Sequence, residues 1–242
     1  MPTPPRSRYA GSVTHPNPLL TNWKPAAWPQ PVVLPGRSVT LEPLDAVRHT
    51  QPLWQAIHGH DEAWQWLGDG PYTDEPSLQT ALAKKQSSTD AVFFAIVPAE
   101  TGLCAGYLSL MRIDIASGVV EVGNVLLSPI LQRTRAATEA QYLLARHVFD
   151  TLGYRRYEWK CNAQNEPSRR AALRLGFTFE GIFRQHMIVK GRSRDTAWFS
   201  MLDSEWPARR QTFEVWLTPD NFDAEGRQRT SLPRACNTKA AL

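Results

Sequence analysis

The sequence predicts an α/β fold of the α+β kind, a mixed sheet of about seven strands that is mostly antiparallel with a central parallel pair. Three observations carry this. Seven segments have the β-branched and apolar composition of strands, and three of them follow one another across short turns, as in a meander. A long helical segment separates the strand-like stretches 119–127 and 155–162, and a helical crossover makes the strands it joins run parallel. The last two strand segments read as a hairpin around Lys190 and Gly191.

Nine of the 19 prolines precede Gly36. Proline fixes φ and lacks an N–H, so residues 1–35 read as an irregular arm. Trp23 and Trp28 are costly to leave in water, which predicts that the arm wraps the domain, with its first ~15 residues loose. The domain follows over 36–202. "RSVTLEPL" (37–44) alternates as a strand. Residues 45–59 begin on the capping residue Asp45 and stop at Gly59, a helix interrupted near Pro52. Helices are expected over 61–67 and 74–88, then strands over 91–97, 103–113 and 119–127. In 135–153 Ala140, Leu144, Val148 and Leu152 recur at helical spacing, and Gly153 is the stop. A strand over 155–162, a helix over 166–176 and strands over 177–191 and 193–203 complete the domain. Residues 203–232 read as an amphipathic helix and extension packed on it through Trp206, Phe213 and Trp216, and 233–242 as a flexible tail.

The formal net charge of +4 allows an anionic partner. The cations gather near helix starts and in the termini, without the basic stripe interleaved with aromatics that would mark a specific nucleic-acid surface. No stretch reaches the ~18 apolar residues of a membrane span, and the early arginines are not followed by the apolar run of a signal peptide. Cys104, Cys161 and Cys236 are odd in number and far apart. They read as free thiols of a reducing, cytoplasmic compartment, neither a disulfide frame nor a zinc site. "HGHDE", with His58 and His60, lacks the two further spaced ligands of a metal centre, so no metal is expected.

The turn "LSPILQRTRAAT" raises the first functional question. A helix N-terminus offers unpaired N–H groups and the positive end of the helix dipole, and a compact loop before it can cradle phosphate. Arginine there opposes the dipole by about 0.3–1 kcal/mol. Arg133 and Arg135 therefore lack a stability motive and fit a diphosphate, although a helix start that happens to be basic is the plain alternative.

The order of elements, with "EVGNVLLSPILQRTRAATEA" followed by "NEPSRRAALRLGFTFEGIFR", resembles the GNAT superfamily of acyl-CoA N-acetyltransferases. Within it the sequence looks closest to the RimJ/RimL-like branch, named for ribosomal-protein N-terminal acetyltransferases. The resemblance covers roughly 36–202. It implies a three-layer fold with helices on both sheet faces and acetyl-CoA as co-substrate. It also implies acetyl transfer to a primary amine, of a protein N-terminus or a small molecule, by direct attack in a ternary complex. The superfamily loop reads Gln/Arg-x-x-Gly-x-Gly/Ala. Here Gln132 and Ala137 match its ends, while Arg135 stands at the first glycine, which implies a helical backbone there and a side chain on phosphate. By the resemblance, Gln132, Arg133, Thr134, Arg135, Ala136 and Ala137 hold the phosphates. The main chain of Asn124, Val125, Leu126 and Leu127 pairs with the pantetheine arm and the acetyl carbonyl, and Asn165 also contacts that arm. Ser168 is the proton donor to the thiolate, and Glu121 acts as base through water or orients the amine. Each has a structural alternative. Glu121 can fix local structure, and Asn165 or Ser168 can cap a helix.

The acceptor side rests on "AWQWLGDGPY". Similar segments flank the acceptor mouth in this branch, which implies substrate contact for Trp64, Trp66 and Tyr72; a satellite hydrophobic cluster is the alternative. The competing function is a catalytically inactive GNAT-like module binding CoA or a partner, prompted by Arg135. Glu121, Asn165 and Ser168 speak for catalysis. A monomer or homodimer is expected, with no membrane partner.

Overall fold

The β-branched runs pair into one sheet. The computed structural model describes residues 19–232, so the expectations for the start of the arm and for residues 233–242, together with Cys236, lie outside the described residues. The strands are β1 (Leu34–Pro35), β2 (Val39–Pro43), β3 (Ala91–Pro98), β4 (Gly106–Asp114), β5 (Val119–Leu127), β6 (Arg156–Asn162), β7 (Thr178–Val189) and β8 (Arg192–Leu202). The helices are α1 (Ala46–Ile57), α2 (Glu75–Gln86), α3 (Arg135–Arg146), α4 (Glu166–Arg174) and α5 (Trp206–Trp216). The sheet has eight strands in the order β1-β2-β3-β4-β5-β6-β8-β7. The pair β5–β6 is parallel and the other neighbours are antiparallel. The strand beyond the expected seven is β1, a two-residue piece of the proline-rich arm.

Period-two alternation gives each sheet face its own core. Phe94, Ile96, Leu108, Leu110, Val120 and Val122 meet α3 and, through Tyr142 and Phe149, α5. Ala95, Val97, Tyr107 and Leu126 meet the side chains of α1 and α2, among them Leu53, Leu78 and Leu82. Each large side chain so buried contributes about 1.5–3 kcal/mol relative to exposure. No helix among the described residues is long and apolar enough to cross a membrane.

Local chemistry moves several boundaries. Helix α1 is capped by Asp45, which accepts from the amides of Val47 and Arg48, and it runs on through Pro52 without the expected interruption. Residues 61–67 shorten to a 3-10 turn over Asp61–Trp64. The helix expected to reach Gly153 leaves α geometry at Arg146 and continues as a π turn over His147–Thr151, where the Leu152 amide reaches the His147 carbonyl at 3.0 Å. In the arm, Trp23 donates to the Ala116 carbonyl at 2.9 Å, so the arm does lie on the domain, but Trp28 stays 41% exposed.

Two departures from regular pairing shape the centre of the sheet. Between the pairs Tyr107↔Leu126 and Ser109↔Gly123 the register slips by one, which inserts an extra residue in β5. Asn124 takes up the bulge with a φ of 51°. The bulge drives the Leu126 carbonyl toward β4, where a Cβ on residue 106 would lie 2.4 Å from that oxygen, so the position is glycine. On the other side, β5 and β6 stay paired only as far as Val122↔Trp159. Beyond that point the two strands part and leave a fork.

Candidate active site

The fork is bounded by the open edge of β5, the loop 128–134, the start of α3 and the start of α4. In the loop, the amides of Leu131 and Gln132 both reach the Ser128 carbonyl, and Arg133 adopts a φ of 62°. The left-handed residue is therefore Arg133. Arg135 is the first residue of α3, with helical backbone. Thr134 caps the helix, donating to the Leu131 carbonyl at 2.7 Å and accepting from the Ala137 amide at 3.1 Å. This leaves the amides of Arg133, Arg135 and Ala136 without an acceptor among the described residues. They form a cradle of N–H donors at the positive end of a helix. The Gln132 side chain turns back to donate to the Leu127 carbonyl at 3.1 Å, pinning the loop to β5. The Arg135 guanidinium lies over the Phe222 ring at 4.8 Å, so in this structure it rests on the C-terminal extension.

Across the fork, Asn165 caps α4 by accepting from the Ser168 amide at 3.1 Å. The capping role thus belongs to Asn165, and the Ser168 hydroxyl serves elsewhere. Its oxygen accepts the indole N–H of Trp159 at 3.0 Å. Trp159 is the β6 residue at the last rung before the fork. The buried Cys161 is a neighbour of Ser168. Burial raises its thiol above the usual range, and the Ser168 hydroxyl opposes that rise.

Glu121 lies on the other sheet face, and it is not free. Its carboxylate accepts from Arg112 at 2.7 Å and pairs with Lys160 at 3.0 Å. Lys160 also pairs with Glu158 at 2.6 Å and sits 3.8 Å from the centre of the Trp198 ring. The Lys160 and Glu121 side chains are only 5% and 3% exposed. Arg156 extends the row by bonding Glu158 at 2.7 Å and both oxygens of Glu180. At position 123 a Cβ would lie 2.3 Å from the Met111 sulfur, so a larger residue there would need that side chain to move. Lys160, Arg112 and Glu158 are not among the residues that the sequence singles out. The readable signal was charge at alternate positions of a strand otherwise fit for burial, Glu158 and Lys160 within "RRYEWKCN".

On the acceptor side, Trp64 is 2% exposed and packs edge-on against Tyr72 at 5.1 Å, within the α1/α2 core. Its ring belongs to the hydrophobic cluster, while Trp66 and Tyr72 remain half-buried at the surface of that loop. Tyr72 donates to Asp69 at 2.6 Å, and burial raises its phenol well above the usual range. The tip of the β7–β8 hairpin reaches this loop, with the Lys190 ammonium donating to the Trp64 carbonyl at 2.9 Å. No cluster of side chains among the described residues has the makeup of a metal site.

A bulged β5 that parts from a parallel β6, beside a loop-to-helix cradle, defines an acyltransferase-type fold, and comparison with known proteins agrees. The family described as "Acetyltransferase (GNAT) domain" matches residues 38–178, and the chain belongs to that family. It is similar to a GCN5-related N-acetyltransferase from Brucella melitensis, at 50% identity and a TM-score of 0.86, over 88% of this chain and 97% of that one. It is 32% identical to the "Uncharacterized N-acetyltransferase p20" of Bacillus licheniformis over 60% of this chain and 83% of the relative. It is 25% identical to the "Putative ribosomal N-acetyltransferase YdaF" of Bacillus subtilis (strain 168) over 70% of this chain and 92% of that one.

Proposed function

We propose that the chain transfers the acetyl group of acetyl-CoA to a primary amine by direct attack in a ternary complex. The observation that carries this is the set of unpartnered amides at Arg133, Arg135 and Ala136, placed beside a β5 edge that opens beyond Val122. Donors and edge suit a molecule with a diphosphate at one end and an amide-bearing arm at the other. Acetyl-CoA would supply the thioester carbonyl and the thiol leaving group. In this reading the three amides bind the phosphates, with Arg133 adding charge. The backbone of Asn124, Val125, Leu126 and Leu127 aligns the arm, and the Asn165 amide group donates to it.

Ser168 delivers a proton to the departing sulfur. Its oxygen is held by Trp159, which fixes the hydroxyl while leaving its own proton to give. Glu121, already engaged by Arg112 and Lys160, acts as an orienting group for the amine and not as a free base. Water at the mouth then takes the amine's proton. The likeness to YdaF supports a protein N-terminus as acceptor. The buried free thiols Cys104 and Cys161 suit a reducing, cytoplasmic setting.

The test is release of free thiol from acetyl-CoA against a panel of peptides, polyamines and aminoglycosides, together with calorimetry of acetyl-CoA binding. The expected result is 1:1 binding, a raised melting temperature and amine-dependent turnover. No heat and no thermal shift at millimolar acetyl-CoA would overturn the reading. Binding without turnover on any amine would favour a CoA-binding module.

A further inference from the structure

The acceptor face of the fork carries an unbalanced positive charge. Residues of one strand two apart share a face, so Arg194, Thr196, Trp198 and Ser200 of β8 line the same side as Lys160 and Glu121. Most charges on that side are matched. Arg112 and Lys160 share Glu121, Lys160 also has Glu158, and Arg156 has Glu158 and Glu180. Arg194 is not matched in this way. Its charge is felt by Glu121, yet it forms no ion pair among the described residues, and its Nε is buried without a hydrogen-bond partner. Burial lowers its affinity for its proton below the usual guanidinium range, and the charges of Cys161 and Glu121 oppose that fall only in part.

An unpaired, partly buried guanidinium is costly unless something anionic completes it. Arg194 occupies a β8 position past the last β6 rung, Asn162↔Thr196, where β7 still pairs with the strand through Met187. The adjoining wall has room for a ligand. The β7 bulge between Phe183 and Met187 is pinned by the Gln185 amide on Asp195 at 2.7 Å, and it frames a recess of about 640 Å³ lined by Phe183, Arg184, Gln185 and His186. Phe183 and His186 both pack on Trp198, at 4.5 and 5.7 Å, which joins this recess to the ring that carries Lys160.

We propose that Arg194 selects the acceptor: the amine substrate carries a carboxylate a few atoms from its nitrogen, and the Arg194 guanidinium binds that carboxylate. The proposal rests on the acetyltransferase reading for its chemistry, but its binding step can be measured without acetyl transfer. Planar guanidinium–carboxylate pairing is directional, so it would place the amine as well as hold it.

The experiment compares the peptide Ser-Asp-Glu-Ala with its neutral isostere Ser-Asn-Gln-Ala, and free glutamate with glutamine, on the full chain and on Arg194→Gln and Arg194→Lys. Calorimetry should find the acidic member of at least one pair binding ~10-fold or more tightly, with Arg194→Gln abolishing the difference and Arg194→Lys restoring part of it. Where turnover is present, the acceptor KM should rise in Arg194→Gln while the KM for acetyl-CoA stays the same. Peptide or amino acid preference tells which source of the carboxylate fits. Equal binding of acidic and neutral members by the unaltered chain overturns the proposal, as does a preference that survives Arg194→Gln. An effect of Arg194→Gln on acetyl-CoA alone also overturns it. Failure of acetyl-CoA to bind would instead strike the acetyltransferase reading and leave the calorimetric comparison standing.

Discussion

The indole nitrogen of Trp159 donates to the hydroxyl oxygen of Ser168 across 3.0 Å, linking the last residue of β6 that pairs with β5 to the first turn of α4. Because Asn165 holds the cap, removing the Ser168 hydroxyl leaves the helix start intact. Ser168→Ala should lower kcat by ~10²-fold while leaving the acetyl-CoA dissociation constant nearly unchanged, since a proton donor to the sulfur acts only as the C–S bond breaks. It should also cost about 1–3 kcal/mol of stability, because the Trp159 N–H loses its acceptor. Steady-state kinetics, calorimetry and thermal melts on one preparation separate these effects. A destabilised but fully active variant would remove Ser168 from the chemistry.

Arg133 has a φ of 62° in the middle of the phosphate-type loop. A left-handed backbone costs a non-glycine residue about 1–2 kcal/mol, offset by the ~0.5–1 kcal/mol of extra chain entropy that glycine brings. Arg133→Gly should therefore leave stability within about 1 kcal/mol of the parent, whereas Arg133→Val should lower it clearly. Both should weaken acetyl-CoA through loss of the guanidinium. Melting curves with and without acetyl-CoA check this, and equal melting temperatures for the glycine and valine variants would contradict it.

The sheet and its parallel pair were legible because hydrophobic periodicity and the long helical crossover are local signals. The cradle was legible as a loop-to-helix junction, and the helical backbone at Arg135 followed from its place there. What the residues could not disclose is where side chains go after the chain folds. Arg135 was expected on phosphate, but Phe222, almost ninety positions later in the sequence, lies under it. Glu121 was visible as an acid on a strand, but its partners Arg112 and Lys160 come from two neighbouring strands whose register no local pattern fixes. Trp64 illustrates the converse. An aromatic in a loop-rich stretch reads equally as pocket lining or core, and burial alone decides.

The contact of Arg135 with Phe222 yields a distinguishing measurement. Cation–π contacts at partly exposed sites contribute about 0.5–1 kcal/mol. Arg135→Ala and Phe222→Leu should each lower stability by that order, and a double-mutant cycle should show coupling between them. If Arg135 is also a phosphate ligand, as the sequence suggests, Arg135→Ala alone should weaken CoA by ~10-fold and leave a desulfo fragment lacking the phosphates unaffected. Additive stability effects would mean that the ring contact carries no energy.

His147, at the start of the π turn, is buried, its Nε2 has no partner among the described residues, and burial lowers its pKa below the ordinary 6.5. His49 moves in the same direction, burial outweighing the opposing pull of Glu42. A histidine with a depressed folded pKa binds fewer protons folded than unfolded, so stability rises with pH across the interval between the two values. The contribution is complete above about 6.5 and is lost as the pH falls through the folded values. Denaturant melts at pH 7 and pH 5 should show the loss, and His147→Leu should shrink it, with His49 supplying the remainder. An unchanged slope in His147→Leu would show that its burial is not coupled to protonation.

Glu121 and Glu158 face each other in the β5–β6 register, with the Lys160 ammonium bonded to both at 3.0 and 2.6 Å. The two ends of this arrangement are not equivalent. Glu121→Gln leaves Lys160 with Glu158 and leaves Arg112, 41% exposed, largely to water, so the loss should be about 1–3 kcal/mol. Lys160→Met keeps the apolar stem over Trp198 but removes the cation shared by two buried carboxylates, leaving Glu121 with Arg112 alone and Glu158 with Arg156 alone. Removal of one partner from a buried pair costs about 3–5 kcal/mol, a fall of very roughly 10 °C or more in melting temperature for a chain of this size. The pH dependence should set the two variants apart. Without Lys160 the carboxylates repel, and one of them takes up a proton in the folded state more readily than in the unfolded chain. The folded variant then binds more protons than its unfolded form, so its deficit against the parent should shrink as the pH is lowered from 7 to 5. Glu121→Gln has no such pair, and its deficit should not shrink in this way. Parallel melts of the parent and both variants across that range decide the matter. A Lys160→Met deficit that stays constant with pH would mean that the carboxylates separate or hydrate once the ammonium is gone, and that Lys160 does not hold them together at the fork.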